Sequence, residues 1–349
     1  MVTLEFMESI ARIALDQPAD KISANLRVFF EKSGIPDPFE VQPIQDGRNS
    51  RVYQIEKNSS KWILKEYYHQ VSDPRNRLET EYNFLSFLNT SSIEHVADAI
   101  AKDSDHNCGL YSYLPGKKPL NVNSDFIRQA CEFIQKINEH YNHLAVKNLP
   151  HASEACFSIS AHLNCIRKRV NILEEIVPIH EIEFEVFDFV QKRLVPAHNQ
   201  VVRKILRNTN NEVLSEKLLD KMRILSPSDF GFQNTLKDGN TLNFLDFEYA
   251  GLDDPAKLIC DFGCHPEIPV RDEYLQTFKD SFFSWLEDAE NVIHRSEIIM
   301  PLYRLKWCCI MLNEFTSMGR ARRNHAGEMF DFEKQLEKSK TYFEKYLTS

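Results

Sequence analysis

The sequence lacks a CxxC pair, a long apolar run and an excess of positive charge, and each absence excludes a class of protein. The tightest groupings of its eight cysteines, Cys308 with Cys309 and Cys260 with Cys264, do not have the paired spacing of a zinc site. We expect core thiols in a reducing compartment. No apolar stretch approaches the roughly 20 residues of a bilayer span. The 51 acidic residues outnumber the 42 basic ones, for a formal charge of -9, so neither a membrane nor a nucleic acid partner is expected.

The length of 349 residues, 42% of them apolar, suits about two domains with full-sized cores. The first residues, MVTLEFMESIARIALDQ, include acidic side chains where a signal peptide would be basic. This predicts a cytoplasmic protein. Internal repeats and low-complexity segments are absent, so the function must be sought in local constellations of residues. The oligomeric state does not follow from the sequence.

Apolar spacing divides the chain into three predicted parts and an α+β fold. Residues 1–36 have helical spacing and form an N-terminal extension. Residues 37–115 form a small β-rich lobe, and residues 116–349 form a larger, mostly helical lobe. The elements expected in these lobes are strands at 51–55, 61–65 and 108–114, a helix at 77–88, helical segments at 126–141 and 159–219 broken at Pro178 and Pro196, and a hairpin of 234–237 with 242–247.

Asp229 and Asn234 stand five residues apart in the loop SDFGFQN, just before the predicted hairpin. Phosphoryl transfer to a hydroxyl uses a carboxylate that orients the hydroxyl and accepts its proton, with an oxygen ligand for Mg²⁺ nearby. The spacing fits that chemistry. An Asp in a Ser-Pro-Ser-Asp loop is also typical of a turn or cap residue.

Asp246 follows apolar neighbours in the stretch FLDFE, where an unpaired carboxylate is costly to bury. On the predicted strand Asp246 shares a face with Leu242 and Phe244. A magnesium ion held by Asn234 and Asp246 satisfies the carboxylate. A salt bridge within the hairpin is the alternative.

Lys65 ends the strand motif WILK, and Glu81 lies on the apolar face of the following helix. Each charge is costly there without the other, so we expect them to pair, as a strand Lys and a helix Glu do where kinases bind nucleotide phosphates. The preceding turn contains Gly47 and Asn49, and its backbone amides are placed to cover phosphates. A lysine at a strand rim and a plain hairpin turn are the competing interpretations.

Together these motifs resemble the aminoglycoside phosphotransferase and choline kinase superfamily of kinase-like enzymes. The resemblance runs from about Val41 to Phe262 and rests on GRNSRVY, WILK, the helix with Glu81, LYSYLPG, SDFGFQN and LDFEYAGLDDP. It implies a bilobal kinase-like fold that binds ATP and Mg²⁺ and phosphorylates a hydroxyl of a small molecule. A protein kinase is disfavoured because no room remains for an activation loop after LDFEYAGLDDP.

The resemblance also implies a role for each matching residue. Asp229 is the catalytic acid-base residue, and Asn234 and Asp246 are the magnesium ligands. Lys65 grips the phosphates with Glu81 as its partner. The backbone groups that contact adenine belong to Ser112 and Leu114.

Two residues depart from the family pattern. Pro227 stands where members commonly have a His, which is thought to brace the catalytic loop, and Asp253 stands where they often have a Gly. The second functional hypothesis is therefore a pseudokinase or interaction protein that binds nucleotide without transferring phosphate.

The sequence offers two opposite hints about the acceptor, which is expected to be an amino alcohol, an aminoglycoside or a sugar. Asp253 and Asp254 are suited to a cationic amine, whereas Arg320, Arg322 and Arg323 are suited to an anionic group. Charge runs of this kind are also typical of a solvated loop. The histidines show no metal-ligand spacing, and His265 is expected to be structural.

Overall fold

The chain forms two compact units, which we call the sheet unit and the helical unit. The computed structural model describes residues 24–44, 49–70, 73–139, 149–327 and 331–348. Of these described residues, those up to 74, 98–113 and 321–327 form the sheet unit, and those of 75–97, 114–320 and 331–348 form the helical unit. A five-stranded sheet and a mostly helical remainder confirm the predicted α+β class.

The sheet unit is a five-stranded antiparallel sheet with one helix packed on it. Its elements are α1 (Ala24–Lys32), β1 (Glu40–Ile44), β2 (Ser50–Lys57), β3 (Ser60–Tyr67), β4 (Ala99–Asp103) and β5 (Cys108–Ser112). The strand order is β1-β2-β3-β5-β4. Ile55, Leu64 and Leu110 point to one buried face and meet Phe30 of α1, so the helix covers the apolar side of the sheet. Of the predicted extension 1–36, residues 1–23 lie outside the described residues.

The helical unit contains long helices and two short strand pairs. Its helices are α2 (Arg77–Thr90), α3 (Ser124–Glu139), α4 (Ile159–Glu174), α5 (Glu181–Phe189), α6 (Val195–Asn208), α7 (Asn211–Ser215), α8 (Pro255–Cys264), α9 (Asp272–Phe283), α10 (Ala289–Met311), α11 (Ser317–Ala326), which ends in the sheet unit, and α12 (Phe332–Leu347). Its strands are β6 (Ile224–Ser226), β7 (Thr235–Asp238), β8 (Thr241–Phe244) and β9 (Gly251–Asp253), with β6 pairing β9 and β7 pairing β8.

An aromatic stack forms the core of the helical unit beneath these strands. Phe244 at the end of β8 lies 4.1 Å from Phe133 of α3, and Phe262 of α8 lies 4.1 Å from Phe278 of α9, measured between ring centroids. Phe230 joins the two pairs at 6.0 Å from Phe244 and 5.6 Å from Phe262. Such stacks add about 0.5–1.5 kcal/mol per pair to the burial energy.

Two predicted elements differ from the structure. Pro196 does not break a helix, because a π-turn over Val190–Leu194 joins α5 to α6 and places the proline in the first turn of α6. The hairpin strand β8 ends at Phe244 rather than at 247. Asp246 therefore lies after the strand, with a left-handed φ of 65°, and does not share a strand face with Leu242.

Gly251 is required by a close approach of two backbones at β9. A Cβ atom at this position would lie 2.3 Å from the Pro150 carbonyl oxygen and 2.6 Å from the Ala152 nitrogen. The same segment hydrogen-bonds to Leu252 on both sides, through Leu252 N to Pro150 O and Ala152 N to Leu252 O, each 2.9 Å. The glycine thus lets residues 150–152 pair with β9.

The cysteines are free thiols and all but Cys165 are buried, as expected for core residues. Among the described ranges, no helix combines the length and the apolar character needed to cross a membrane.

Candidate active site

The loop 227–234 joins β6 to β7 and is anchored next to its start and by two aromatic side chains within it. At its start, Leu225 of β6 donates its N–H to Asn138 Oδ1 (2.8 Å) and accepts from Asn138 Nδ2 (3.0 Å). Within the loop, Phe230 and Phe232 are buried in the aromatic core. The motif DFGFQN therefore positions its polar residues because its two phenylalanines anchor the backbone.

The loop turns sharply at Ser228, whose φ of 68° is left-handed. The Ser228 N–H donates to Ser226 Oγ (2.9 Å), and Asp229 N donates to the Pro227 carbonyl (2.9 Å). A left-handed conformation costs a residue other than glycine about 1–2 kcal/mol. Ser228 and Asp246 both adopt one, and strain of this kind concentrates at functional sites.

Asp229 and Asn234, the two residues that the sequence placed five apart in this loop, are in direct contact. Asn234 Nδ2 donates to the Asp229 carbonyl (2.8 Å) and lies 3.3 Å from Asp229 Oδ2, while Gln233 Nε2 lies 3.3 Å from Asp229 Oδ1. Burial and the neighbouring carboxylate of Asp261 raise the pKa of Asp229 to about 6, against the lowering effect of the bond from Asn234. A carboxylate with such a pKa is a suitable proton acceptor near neutral pH.

His265 approaches Asp229 from the end of α8, a feature the sequence did not indicate. Its Nδ1 accepts the N–H of Glu267 (3.2 Å), so Nε2 carries the proton of the neutral ring. Nε2 lies 3.8 Å from Asp229 Oδ1. The ring packs edge-on against Trp307 at 4.2 Å between centroids. His265 is thus both packed and directed toward the carboxylate.

Three carboxylates converge beside the hairpin. One oxygen each of Glu81, Asp246 and Glu248 lies within 4.8 Å of the others. Glu81 Oε1 accepts the N–H of Phe247 (3.2 Å), and Glu248 Oε1 lies 3.7 Å from Arg77 Nε. The predicted buried face of α2 is confirmed for Glu81, which is 5% exposed.

Asn234 connects this cluster to the loop 227–234. Its carbonyl oxygen accepts the N–H of Leu245 (2.9 Å), the residue before Asp246. Because its side-chain nitrogen faces Asp229, its Oδ1 is the atom left for a metal. Carboxylate and amide oxygens suit a hard cation, so this donor set fits Mg²⁺.

A buried ionic network lies under the loop and was not foreseen from the sequence. Lys257 of α8, 1% exposed, donates its Nζ to Ser228 Oγ (2.9 Å) and to Asp253, and lies 3.8 Å from Asp261. Lys306 completes it with bonds of 2.7 and 2.8 Å to Asp261. Burial favours the neutral form of Lys257, but Asp253 and Asp261 raise its pKa above the ordinary value. Two lysines thus balance two aspartates.

The suggested amine-binding role of Asp253 and Asp254 is wrong. Both side chains are fully buried, at 0% exposure. Asp253 pairs with Lys257, whereas Asp254 pairs with Arg295, lies 3.3 Å from His162 Nε2, and caps α8 through Ala256 N. Neither carboxylate is accessible to an acceptor.

The residues predicted for nucleotide binding lie mainly in the sheet unit. Lys65, on β3 opposite Val52 and Gly109, has its Nζ 5.1 Å from the Tyr67 ring centroid. Ser112 lies at the end of β5 and hydrogen-bonds to Asp98, and Asn49 is half-buried before β2. Leu114 is half-buried and belongs to the helical unit, whereas Gly47 lies outside the described residues. The pairing of Lys65 with Glu81 stays a prediction.

Comparison with known proteins agrees with the fold and the motifs. Residues 40–291 match the phosphotransferase enzyme family. Similar solved structures include a spectinomycin phosphotransferase with ADP and spectinomycin (14% identity, 93% of this chain and 99% of that chain, TM-score 0.59), an ethanolamine kinase of Plasmodium vivax (12%, 99% and 95%, 0.56) and a choline kinase of Cryptosporidium parvum (13%, 98% and 98%, 0.50). No curated protein matches the sequence.

Proposed function

The chain belongs to the phosphotransferase enzyme family, and on this premise we propose that it is an ATP-dependent kinase of a small molecule. It moves the γ-phosphoryl group of ATP to a hydroxyl of an amino alcohol, an aminoglycoside or a sugar. The observation that carries the proposal is the contact of Asp229 with Asn234, directly beside the carboxylate cluster of Glu81, Asp246 and Glu248.

Asp229 takes the proton of the acceptor hydroxyl in this proposal. Its carboxylate is held by Asn234 and Gln233, and its side chain remains 32% exposed, so an acceptor has access to it. Proton transfer by a positioned group contributes about 10²- to 10⁴-fold in rate. His265 Nε2–H faces the same carboxylate and helps to orient it.

Asn234 and Asp246 hold Mg²⁺ in this proposal, with Glu81 and Glu248 next to them. When bound, Mg²⁺ neutralises charge on the phosphates of ATP. Lys65 binds the phosphates, the turn with Gly47 and Asn49 covers them, and Ser112 and Leu114 contact the adenine through their backbones. These roles rest on the match of each residue to the family motifs.

The choice among acceptors stays open because the similar structures act on different ones, including spectinomycin, ethanolamine and choline by their names. The burial of Asp253 and Asp254 removes one candidate amine site. Arg320 is engaged as well, with its guanidinium 2.7 Å from Glu183.

The experiment is a screen for ADP release by purified protein with Mg-ATP and a panel of amino alcohols, aminoglycosides and sugars. Asp229→Asn is the matched control, because it keeps the size of the side chain but removes the base. Acceptor-dependent ADP release by the wild type and its loss in Asp229→Asn support the proposal. ATP binding without ADP release on any acceptor favours the pseudokinase hypothesis.

A further inference from the structure

Of the two departures from the family pattern, Asp253 itself and Ser228, the residue after Pro227, contact the same side chain, Lys257. Asp253 is the strongest partner of Lys257, and the same ammonium donates to Ser228 Oγ at 2.9 Å. Ser228 directly follows Pro227 and directly precedes Asp229. The position without the usual histidine and the position with an added carboxylate are therefore joined through Lys257.

We propose that Lys257, held by Asp253, is a positioning residue that braces the catalytic loop in place of the missing histidine. The proposal rests on the proposed function, since it concerns the orientation of Asp229 for transfer. Lys257 does not touch Asp229 itself but fixes the residue beside it.

The pairing of β6 with β9 and the start of α8 place Lys257 next to Ser228. Residues Ile224 and Asp253 pair in the β6–β9 ladder, so the stem of the loop and the carboxylate that holds Lys257 lie side by side. Helix α8 begins right after β9 and carries Lys257 one turn beyond Asp253. Ser228 Oγ in turn lies 3.3 Å from the Ser153 carbonyl. The hydroxyl is thus fixed between a cation and a backbone acceptor.

The hydrogen bond from Lys257 gives a reason for a serine at position 228, where the backbone is left-handed, at φ 68°. Glycine adopts this conformation without strain, whereas serine does not. A serine here supplies what glycine cannot, namely a hydroxyl for Lys257. The buried ammonium also needs this acceptor, because an unsatisfied charged donor is costly at 1% exposure.

Two kinds of variant test the brace. Ser228→Ala and Ser228→Gly remove the hydroxyl but leave the Lys257–Asp253 pair in place, and the glycine also relieves the left-handed strain. The double variant Lys257→Met/Asp253→Asn removes both members of the pair, so that no uncompensated charge stays buried. Arg295→Met is the control, since it breaks another buried ion pair, with Asp254 at the N-cap of α8, and leaves Lys257, Asp253 and Ser228 unchanged.

The measurements are kcat and the Kd of Mg-ATP below the melting temperature of every variant, with the melting temperature itself recorded. We expect kcat to fall by up to about 10²-fold in Ser228→Ala, Ser228→Gly and the double variant, because small misplacement of a reacting group costs that much. The Kd of Mg-ATP stays unchanged. Arg295→Met loses thermal stability but keeps kcat.

Wild-type kcat in both Ser228 variants overturns the brace while the proposed function stands. A fall in kcat of Arg295→Met equal to that of the loop variants also overturns it, because the effect is then a general loss of the fold. Absence of turnover in the wild type with every acceptor overturns the proposed function itself. This result is distinct from the failure of the brace, because it needs no variant.

Discussion

Replacing Asp229 with Asn is expected to stabilise the fold while it abolishes phosphoryl transfer. The pKa of Asp229 rises from 3.8 to about 6, chiefly because the carboxylate is desolvated. Each pH unit between these values corresponds to about 1.4 kcal/mol, so the penalty on the ionised form is at most about 3 kcal/mol. Because the side chain is 32% exposed, solvent screening reduces this to about 1–2 kcal/mol.

The sign of the pH dependence follows from the raised pKa. An aspartate whose folded-state pKa exceeds its unfolded value costs no stability below the unfolded value, and the cost grows as the pH rises through the folded value. The wild type therefore loses stability relative to Asp229→Asn between about pH 4 and pH 6, and the gap stays constant above that range. The contacts of 3.3 Å that Gln233 and Asn234 make with the Asp229 carboxylate are long. The Asp229→Asn variant therefore loses little hydrogen-bond energy when these contacts change.

The assay is thermal unfolding of both proteins without nucleotide and with EDTA, so that no divalent cation lies beside the carboxylate. At about pH 7.5 the melting temperature of Asp229→Asn should exceed that of the wild type by a few degrees, and at about pH 3.5, below the unfolded pKa, the difference should largely vanish. An equal or lower melting temperature of the variant at neutral pH refutes the assignment of a desolvated carboxylate.

Three further variants, one of them with a glycine control, test other parts of the structure. Asp246→Asn should lose both turnover and the magnesium dependence of ATP affinity, measured as the Kd of ATP with and without Mg²⁺; an unchanged response contradicts the metal assignment. Lys65→Met should weaken ATP binding by calorimetry at a nearly unchanged melting temperature, because the stem of the side chain still packs; wild-type affinity favours a rim lysine. Gly251→Ala should destabilise the fold by about 3 kcal/mol or more, since backbone atoms cannot yield, whereas Gly239→Ala, with nothing within 4 Å, costs only about 1–2 kcal/mol for its left-handed φ.

The parts of the site that the sequence predicted are those set by short-range spacing. Asp229 and Asn234 belong to one loop, and their contact needs only that the loop curls back within five residues. Glu81 was correctly placed on the buried face of α2 because the helical period fixes which residues share a face. The sequence placed Asp246 on the second hairpin strand, whereas it lies after that strand with a left-handed φ. This φ could not be predicted, because it leaves no trace in an apolar pattern.

The parts that the sequence did not reveal depend on contacts between distant segments. His265 comes within 3.8 Å of Asp229 from another helix, and no spacing rule brings these two residues together. Asp254 was interpreted as an accessible acid because its partner Arg295 lies about 40 positions farther along. Asp253 was interpreted in the same way, because a lysine four residues away is ordinarily part of a surface pair. The burial of a charged residue can be predicted from the sequence only when the residue that neutralises it is known.

The Lys257 network has a local signal as well as a distant one. Asp253, Lys257 and Asp261 are spaced at i, i+4 and i+8, which places the lysine between two carboxylates on one side of α8. On an exposed helix this pattern is an ordinary surface pair worth about 0.3–0.5 kcal/mol. Here α8 is buried on all sides, with every residue from Pro255 to Phe262 buried, so the pair cannot be solvated and must find further polar partners. A polar partner of Lys257 from outside the helix is Ser228, the residue before Asp229. A charge pattern that is typical of an exposed helix surface thus contacts the loop that carries Asp229, because the helix that bears the pattern is buried.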